Sequence, residues 1–194
     1  MSREKNNRKT LITGHTRGIG HAIYEFLTQK GYECTGLSRS TGDDVLEKED
    51  LIVDMIKNFD YVVLNAYARQ SQLDMLKKIV ERYKNHNKRI VVITSTSGTS
   101  EGEDEDSAGG DDYRDYKKFK RELIQYIGHI QQTLIDKPLH IFDVCPDTVY
   151  TEMTVGLWEE YPKLQPNDVA ECVDLCFQTK SYNINKIVIQ KNAD

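Results

Sequence analysis

Short apolar runs alternate along this chain with stretches in which apolar residues recur every three or four positions. The runs at 10–13, 33–38, 60–65, 89–95, 139–144 and 186–190 are rich in Val, Ile, Leu and Thr and are bounded by turn residues, so they read as strands. Between them, helical spacing puts Ile19, Ala22, Ile23, Phe26 and Leu27 on one face. The same spacing predicts helices over 46–57 (Leu51, Ile52, Met55 and Ile56), 71–84 (Leu73, Leu76, Ile79, Val80 and Tyr83) and 113–135 (Phe119, Leu123, Ile127, Ile130 and Leu134). A last helix over 166–179 is opened by Pro166 and Asn167. Strands that alternate with helices predict parallel βαβ units with right-handed crossovers. The expected fold is therefore α/β, a doubly wound parallel sheet in three α/β/α layers. Six strands are expected, with a seventh reduced to the vicinity of Asp44 and Val45.

A chain of 194 residues is expected to be a single domain spanning 1–194, large enough to cover both faces of a central sheet. The net charge of −5 is localised: seven acidic residues fall between Glu101 and Asp112, and without them 24 acids face 26 bases. That Gly-, Ser- and acid-rich stretch, about 98–112, is expected to be a mobile, solvated insert. Lys and Arg are otherwise scattered, with no aromatic-studded basic stripe, which argues against a nucleic-acid partner. The polar N-terminus lacks a signal-peptide core and no segment is long and apolar enough to span a membrane, so a cytoplasmic location is expected. Cys34, Cys145, Cys172 and Cys176 follow no disulfide or zinc spacing and read as reduced, mostly buried thiols. No metal site is expected.

Chemistry concentrates where the first strand runs into a glycine-rich turn and a helix. Gly14 can take the tight turn, Gly18 lets backbone approach a pyrophosphate, and Gly20 lets the helix pack close to the strand. The free N–H groups of that helix N-terminus would then face phosphate oxygens. The spacing Thr-Gly-x-x-x-Gly-Ile-Gly over 13–20 resembles the short-chain dehydrogenase/reductase family in its compact branch, a Rossmann-type fold. Other matches follow in family order. Asn65-Ala66 is similar to the family's Asn-Ala-Gly, Ser95 and Gly98 fit its Ser-x-x-Gly, and the segment from Pro146 to Thr151 resembles its Pro-Gly-x-x-x-Thr. The chain is shorter than a typical member, which implies trimming.

The resemblance implies a nicotinamide dinucleotide held by Gly14, Thr16, Arg17, Gly18, Ile19 and Gly20. Asp44 and Val45 would flank the adenine, with Asn65, Ala66 and Tyr67 at the next turn and Pro146, Val149 and Thr151 toward the nicotinamide. At the end of the second strand, where an acid would hold ribose hydroxyls, this chain has Ser38 and Arg39. With Arg17 nearby, two guanidinium groups suit a 2′-phosphate, so NADP(H) is the expected cofactor and NAD(H) the alternative.

Tyr-x-x-x-Lys places both side chains on one helical face, and three such pairs occur: Tyr113/Lys117, Tyr116/Lys120 and Tyr182/Lys186. The last falls at a strand start. The distance from Lys120 to Pro146 is more similar to the family's usual spacing, so the resemblance favours Tyr116 and Lys120, with Tyr113/Lys117 as the alternative. The resemblance makes Tyr116 the general acid/base and Ser95 the group that orients the substrate oxygen. Lys120 would lower the Tyr116 pKa and hold the nicotinamide ribose. The substrate would be a small carbonyl or alcohol. Trp158 and Tyr161 are either pocket aromatics or core cover, and a homodimer or homotetramer is left open.

Three departures stand out. Tyr67 and Asp147 occupy glycine positions of the family pattern, and no Asn lies between Ala66 and Lys84 to feed a proton relay. The missing Asn and the trimmed chain sustain a second reading, a nucleotide-binding regulator or scaffold with little catalysis. A sugar-nucleotide epimerase or dehydratase is a weaker third.

Overall fold

A computed structural model describes residues 8–99, 110–179 and 181–192. The elements run in the order β1 (Lys9–Thr13), α1 (Gly18–Gln29), β2 (Glu33–Leu37), α2 (Glu49–Met55), β3 (Tyr61–Leu64), α3 (Ser71–Tyr83), β4 (Lys88–Ile93), α4 (Gly110–Thr133), β5 (Leu139–Pro146), α5 (Pro166–Gln178) and β6 (Lys186–Ile189). Every strand pairing is parallel, and the order across the sheet is β2-β1-β3-β4-β5-β6. The chain reverses its winding between β1 and β3, so a crevice opens there beyond the carboxyl ends of the strands, where doubly wound sheets receive their ligands.

Alternation along each strand sorts the core into two layers. Leu11, Val62, Leu64, Ile90 and Val92 point to one face, which α2, α3 and α4 cover through Ile52, Leu76, Ile79, Leu123 and Ile127. Ile12, Val63, Val91, Phe142 and Val144 point to the other, which α1 and α5 cover through Ile23, Leu27, Val169 and Val173. Near-complete burial of these side chains contributes about 1.5–3 kcal/mol each, which is why strands covered on both faces read as continuous apolar runs.

Several expectations change at the edges. No strand forms at Asp44-Val45, so β2 is the sheet edge: the Asp44 carboxylate accepts a hydrogen bond from the Leu46 N–H, and this local turn replaces an extended partner. The helix expected over 46–57 is confined to α2 and tightens into a 3₁₀ turn at Ile56–Asn58. Its inward face is Ile52, Val53 and Ile56, whereas Leu51 is 54% exposed. The buried stripe is shifted by one residue from the expected one, Val53 taking the place of Leu51. The long helix begins at Gly110, so the expected insert loses both ends: Thr96–Gly98 form a 3₁₀ turn and 110–112 belong to α4. The rest of the insert lies outside the described residues, as do residues 1–7 of the polar N-terminus. All four cysteines are free, Cys145 and Cys176 buried and Cys34 and Cys172 half-buried. Among the described residues no helix is long and apolar enough to cross a membrane.

Candidate active site

The glycine turn closes onto the end of β3. Gly14 and Gly18 both adopt positive φ, +75° and +53°, which disfavours any side chain there. A Cβ on Gly20 would lie 2.1 Å from the Gly14 carbonyl oxygen and 2.5 Å from Asn65 Nδ2, so only glycine lets α1 seat this close. Asn65 stitches the two loops together: its Nδ2 donates to the carbonyls of Thr13 (3.2 Å) and Gly14 (3.3 Å). The backbone N–H groups of Asn65 and Ala66 both donate to the Thr13 hydroxyl. The α1 N-terminus has no side-chain cap and no acid in its first turn. A helix end in that state favours an anion, so the cradle fits a dinucleotide phosphate.

Beyond the end of β2, the hydroxyls of Thr16, Ser40 and Ser38 form a chain, 3.2 Å from Ser40 to Thr16 and 2.9 Å from Ser38 to Ser40. The 3₁₀ turn Arg39–Thr41 presents Arg39 to solvent. Val45 is buried behind this turn and Asp44 is half-buried. Arg17, expected beside Arg39, instead leans across the crevice to Glu152 at 3.6 Å. Both partners are largely exposed, so this pairing is weak. The His15 ring lies where a side chain on Gly36 would be, another close packing that the sequence did not suggest.

At the far end of the crevice, Pro146 ends β5 and Val149 is buried in a bridge to Leu164. Thr151 begins a 3₁₀ turn, Glu152–Thr154, and its methyl would stand 3.3 Å from a Cβ on Gly18. Asp147, in place of a glycine, has a structural part that no motif announced: it accepts from the Thr96 hydroxyl (3.0 Å) and the Thr148 N–H (2.8 Å), fastening the loop after β5 to the loop after β4.

Ser95 and Tyr116 are brought together at the carboxyl end of β4. Ser95 accepts from the Ser97 N–H, capping the turn Thr96–Gly98, and lies near enough to the Tyr116 phenol to favour its ionised form. Tyr113 goes elsewhere, bonding Ser97 Oγ at 3.1 Å and packing on Trp158 at 5.4 Å between ring centroids. Tyr116 is flanked by Tyr67, edge-on at 4.9 Å, and by Tyr113, stacked at 6.2 Å. Trp158 thus meets this aromatic row, whereas Tyr161 is 68% exposed.

Lys120 departs from expectation. It is 3% exposed, and its Nζ donates to Gln72 Oε1 and to the Ile93 carbonyl, both at 2.8 Å, instead of standing open to a ribose. Burial against neutral oxygens pulls its pKa down to about 7. The Tyr116 phenol is likewise pushed up to about 12 by burial, with the Ser95 hydrogen bond working the other way. Desolvation of the phenolate sets this direction, and the lowering expected from Lys120 is not among its causes. Gln72 was missed by motif reading. Its signal was a polar residue on the buried stripe shared with Leu76, Ile79 and Tyr83.

No protein-family model matches the sequence, and neither does any curated protein. Solved structures do match. A 3-alpha-hydroxysteroid dehydrogenase from Pseudomonas sp. B-0831, complexed with NADH, superposes with a TM-score of 0.75 at 17% identity over 93% of this chain and 94% of that one. A short-chain dehydrogenase from Burkholderia cenocepacia J2315 in complex with NADP gives 0.73 at 12% identity, over 97% and 90% of the two chains. This chain has the short-chain dehydrogenase/reductase fold. A member of that group from Vibrio parahaemolyticus gives 0.72 at 18% identity, over 95% of this chain and 100% of that one. The expected trimming is therefore not a loss relative to these structures. The short-chain dehydrogenase fold here keeps its crevice at the β1/β3 switch, with Tyr116, Ser95 and the glycine turn all at the carboxyl edge of the sheet.

Proposed function

We propose that the protein is an NADPH-dependent oxidoreductase of the short-chain dehydrogenase type, moving hydride between NADP(H) and a carbonyl/alcohol pair. The observation that carries this reading is the nearness of Tyr116 to Ser95 at the carboxyl end of β4, on the same edge of the sheet as an anion-favouring glycine turn. When bound, the nicotinamide supplies or accepts the hydride. Gly14, Thr16, Gly18, Ile19 and Gly20 would hold the phosphates, and Ser38 and Arg39, with Arg17, the 2′-phosphate. Asp44 and Val45 would face the adenine, and Asn65, Ala66, Tyr67, Pro146, Val149 and Thr151 would line the rest of the crevice.

Ser95 orients the substrate oxygen, and the Tyr116 hydroxyl gives that oxygen a proton in reduction and takes it back in oxidation. The phenol is well suited to donate in the state described, because burial keeps it protonated. Acting as a base requires a nearby positive charge, and Lys120, one turn along α4 with its Nζ 5.6 Å from the ring centroid, is the group to supply it.

A second reading, an NADP(H)-binding regulator, draws on the enclosure of Lys120 and on the Tyr67 ring that covers it at 5.8 Å. One experiment separates the two: NADPH titration together with NADPH consumption over a broad panel of aldehydes and ketones, with Tyr116→Phe as control. Turnover that vanishes in the variant supports the enzyme. Binding with no turnover on any carbonyl supports the regulator, and absence of binding overturns both.

A further inference from the structure

Gln72 is buried, 4% exposed, yet every polar atom of its side chain is engaged. Its Nε2 donates to the Leu64 carbonyl at 2.7 Å and the Ile93 carbonyl at 3.0 Å, while Oε1 accepts from Lys120 Nζ at 2.8 Å. The orientation of this amide is determined. Turned over, it would set its oxygen against two carbonyl oxygens and its NH₂ against an ammonium. The Ile93 carbonyl also accepts from Lys120 at 2.8 Å, so the amide, the ammonium and this carbonyl close a triangle.

The anchors are not arbitrary. Leu64 precedes Asn65 in the chain, and Ile93 precedes Thr94 and Ser95, so Gln72 joins the ends of β3 and β4 to the α4 side chain beside Tyr116. A leucine at this place on the stripe would serve packing but would take the amide partner from the Leu64 carbonyl and from Lys120 Nζ. Other groups surround Lys120. Tyr67 comes from the β3–α3 loop and Tyr116 from α4, while Asp143 and Cys145 come from β5. Asp143 is committed to the Thr94 hydroxyl and to Lys186, 3.4 Å away, so the direct partners of Lys120 are two neutral oxygens.

We propose that Gln72 is the positioning residue for Lys120, a neutral acceptor that holds the amine at the base of Tyr116 and sets how readily it carries charge. This rests on the reading of Tyr116 and Lys120 given above. A carboxylate in the same place would favour the ammonium, and an apolar side chain of similar length would disfavour it.

The test is the titration of Lys120 followed by NMR in protein labelled with ¹³C at the lysine ε-carbons, without cofactor, the resonance being assigned by its loss in Lys120→Met. In Gln72→Glu the midpoint should rise by about one pH unit or more, and in Gln72→Met it should fall by a comparable amount. Thermal melts establish that each variant is folded, and Gln72→Glu, the closer isostere, decides the matter if Gln72→Met does not fold. A Gln72→Glu midpoint within about 0.3 unit of the parent overturns the proposal. Because this readout needs neither cofactor nor substrate, failure of NADPH to bind the parent protein would count against the reading of the site and not against the Gln72–Lys120 contact.

Discussion

A Cβ on Gly20 would stand 2.1 Å from the carbonyl oxygen of Gly14, so the seating of α1 against β1 depends on a missing side chain. Gly20→Ala should destabilise the protein by about 1–3 kcal/mol, the usual cost of overpacking, and should weaken NADPH binding by moving the helix end. Gly128 provides the opposite sign. It lies in the interior of α4 with open space around it, and Gly128→Ala should stabilise by about 0.5–1 kcal/mol. Urea unfolding of the two variants checks both, and equal effects would contradict the packing argument.

The burial of Lys120 predicts a particular slope of stability with pH. Its amine is pulled from 10.5 to about 7 in the folded chain. Between those values the unfolded chain holds a proton that the folded chain has released, so stability rises with pH there and is lost as pH falls through about 7. From pH 7 to 9 the gain from this group should be on the order of 2 kcal/mol, at about 1.4 kcal/mol per unit. Lys120→Met should lack that gain. Parallel pH dependences of the two proteins in urea unfolding would show that Lys120 titrates normally.

Arg39 stands exposed at the turn that follows β2, beside the Ser38, Ser40 and Thr16 hydroxyls. A charge-assisted contact to a 2′-phosphate is worth about 1.5–3 kcal/mol, so Arg39→Ala should weaken NADPH roughly 10- to 100-fold and spare NADH. Arg17→Ala should act in the same direction but less strongly, because Arg17 is shared with Glu152. Fluorescence titration with both cofactors decides, and equal loss for NADPH and NADH would place Arg39 away from the 2′ position.

Tyr116 and Tyr113 are separated by their partners, Ser95 for one and Ser97 for the other. Tyr116→Phe should abolish turnover while leaving NADPH affinity within about twofold, since the hydroxyl serves the transition state and not the cofactor. Tyr113→Phe should lose only its bond to Ser97, at a cost of about 1 kcal/mol in stability and little in rate. Steady-state rates on any carbonyl that is reduced, measured for both variants, exchange the assignment if Tyr113→Phe proves to be the inactive one.

The order of strands and helices, the glycine turn and the succession of motifs from Thr13 to Thr151 were legible in the residues themselves, because periodicity and turn chemistry act over a few neighbouring positions. Phe142 and Val144 face one layer and Ile141 the other for no reason beyond the two-residue repeat of a strand. What lay beyond reach were the partners of polar groups, which depend on strand ends that meet only in the folded sheet. Asp147 reads as a lost glycine until Thr96 is found 3.0 Å from it. Leu51 reads as core until α2 is found to bury Ile52 and Val53 in its place. Lys120 reads as open to a cofactor until Gln72, 48 residues earlier, is found holding it. The sequence by itself determined the layered α/β plan, since burying apolar faces of fixed period leaves few alternatives. Only the tertiary structure decided which charges are free to act, since hydrogen bonding and desolvation depend on distances between segments that share no sequence neighbourhood.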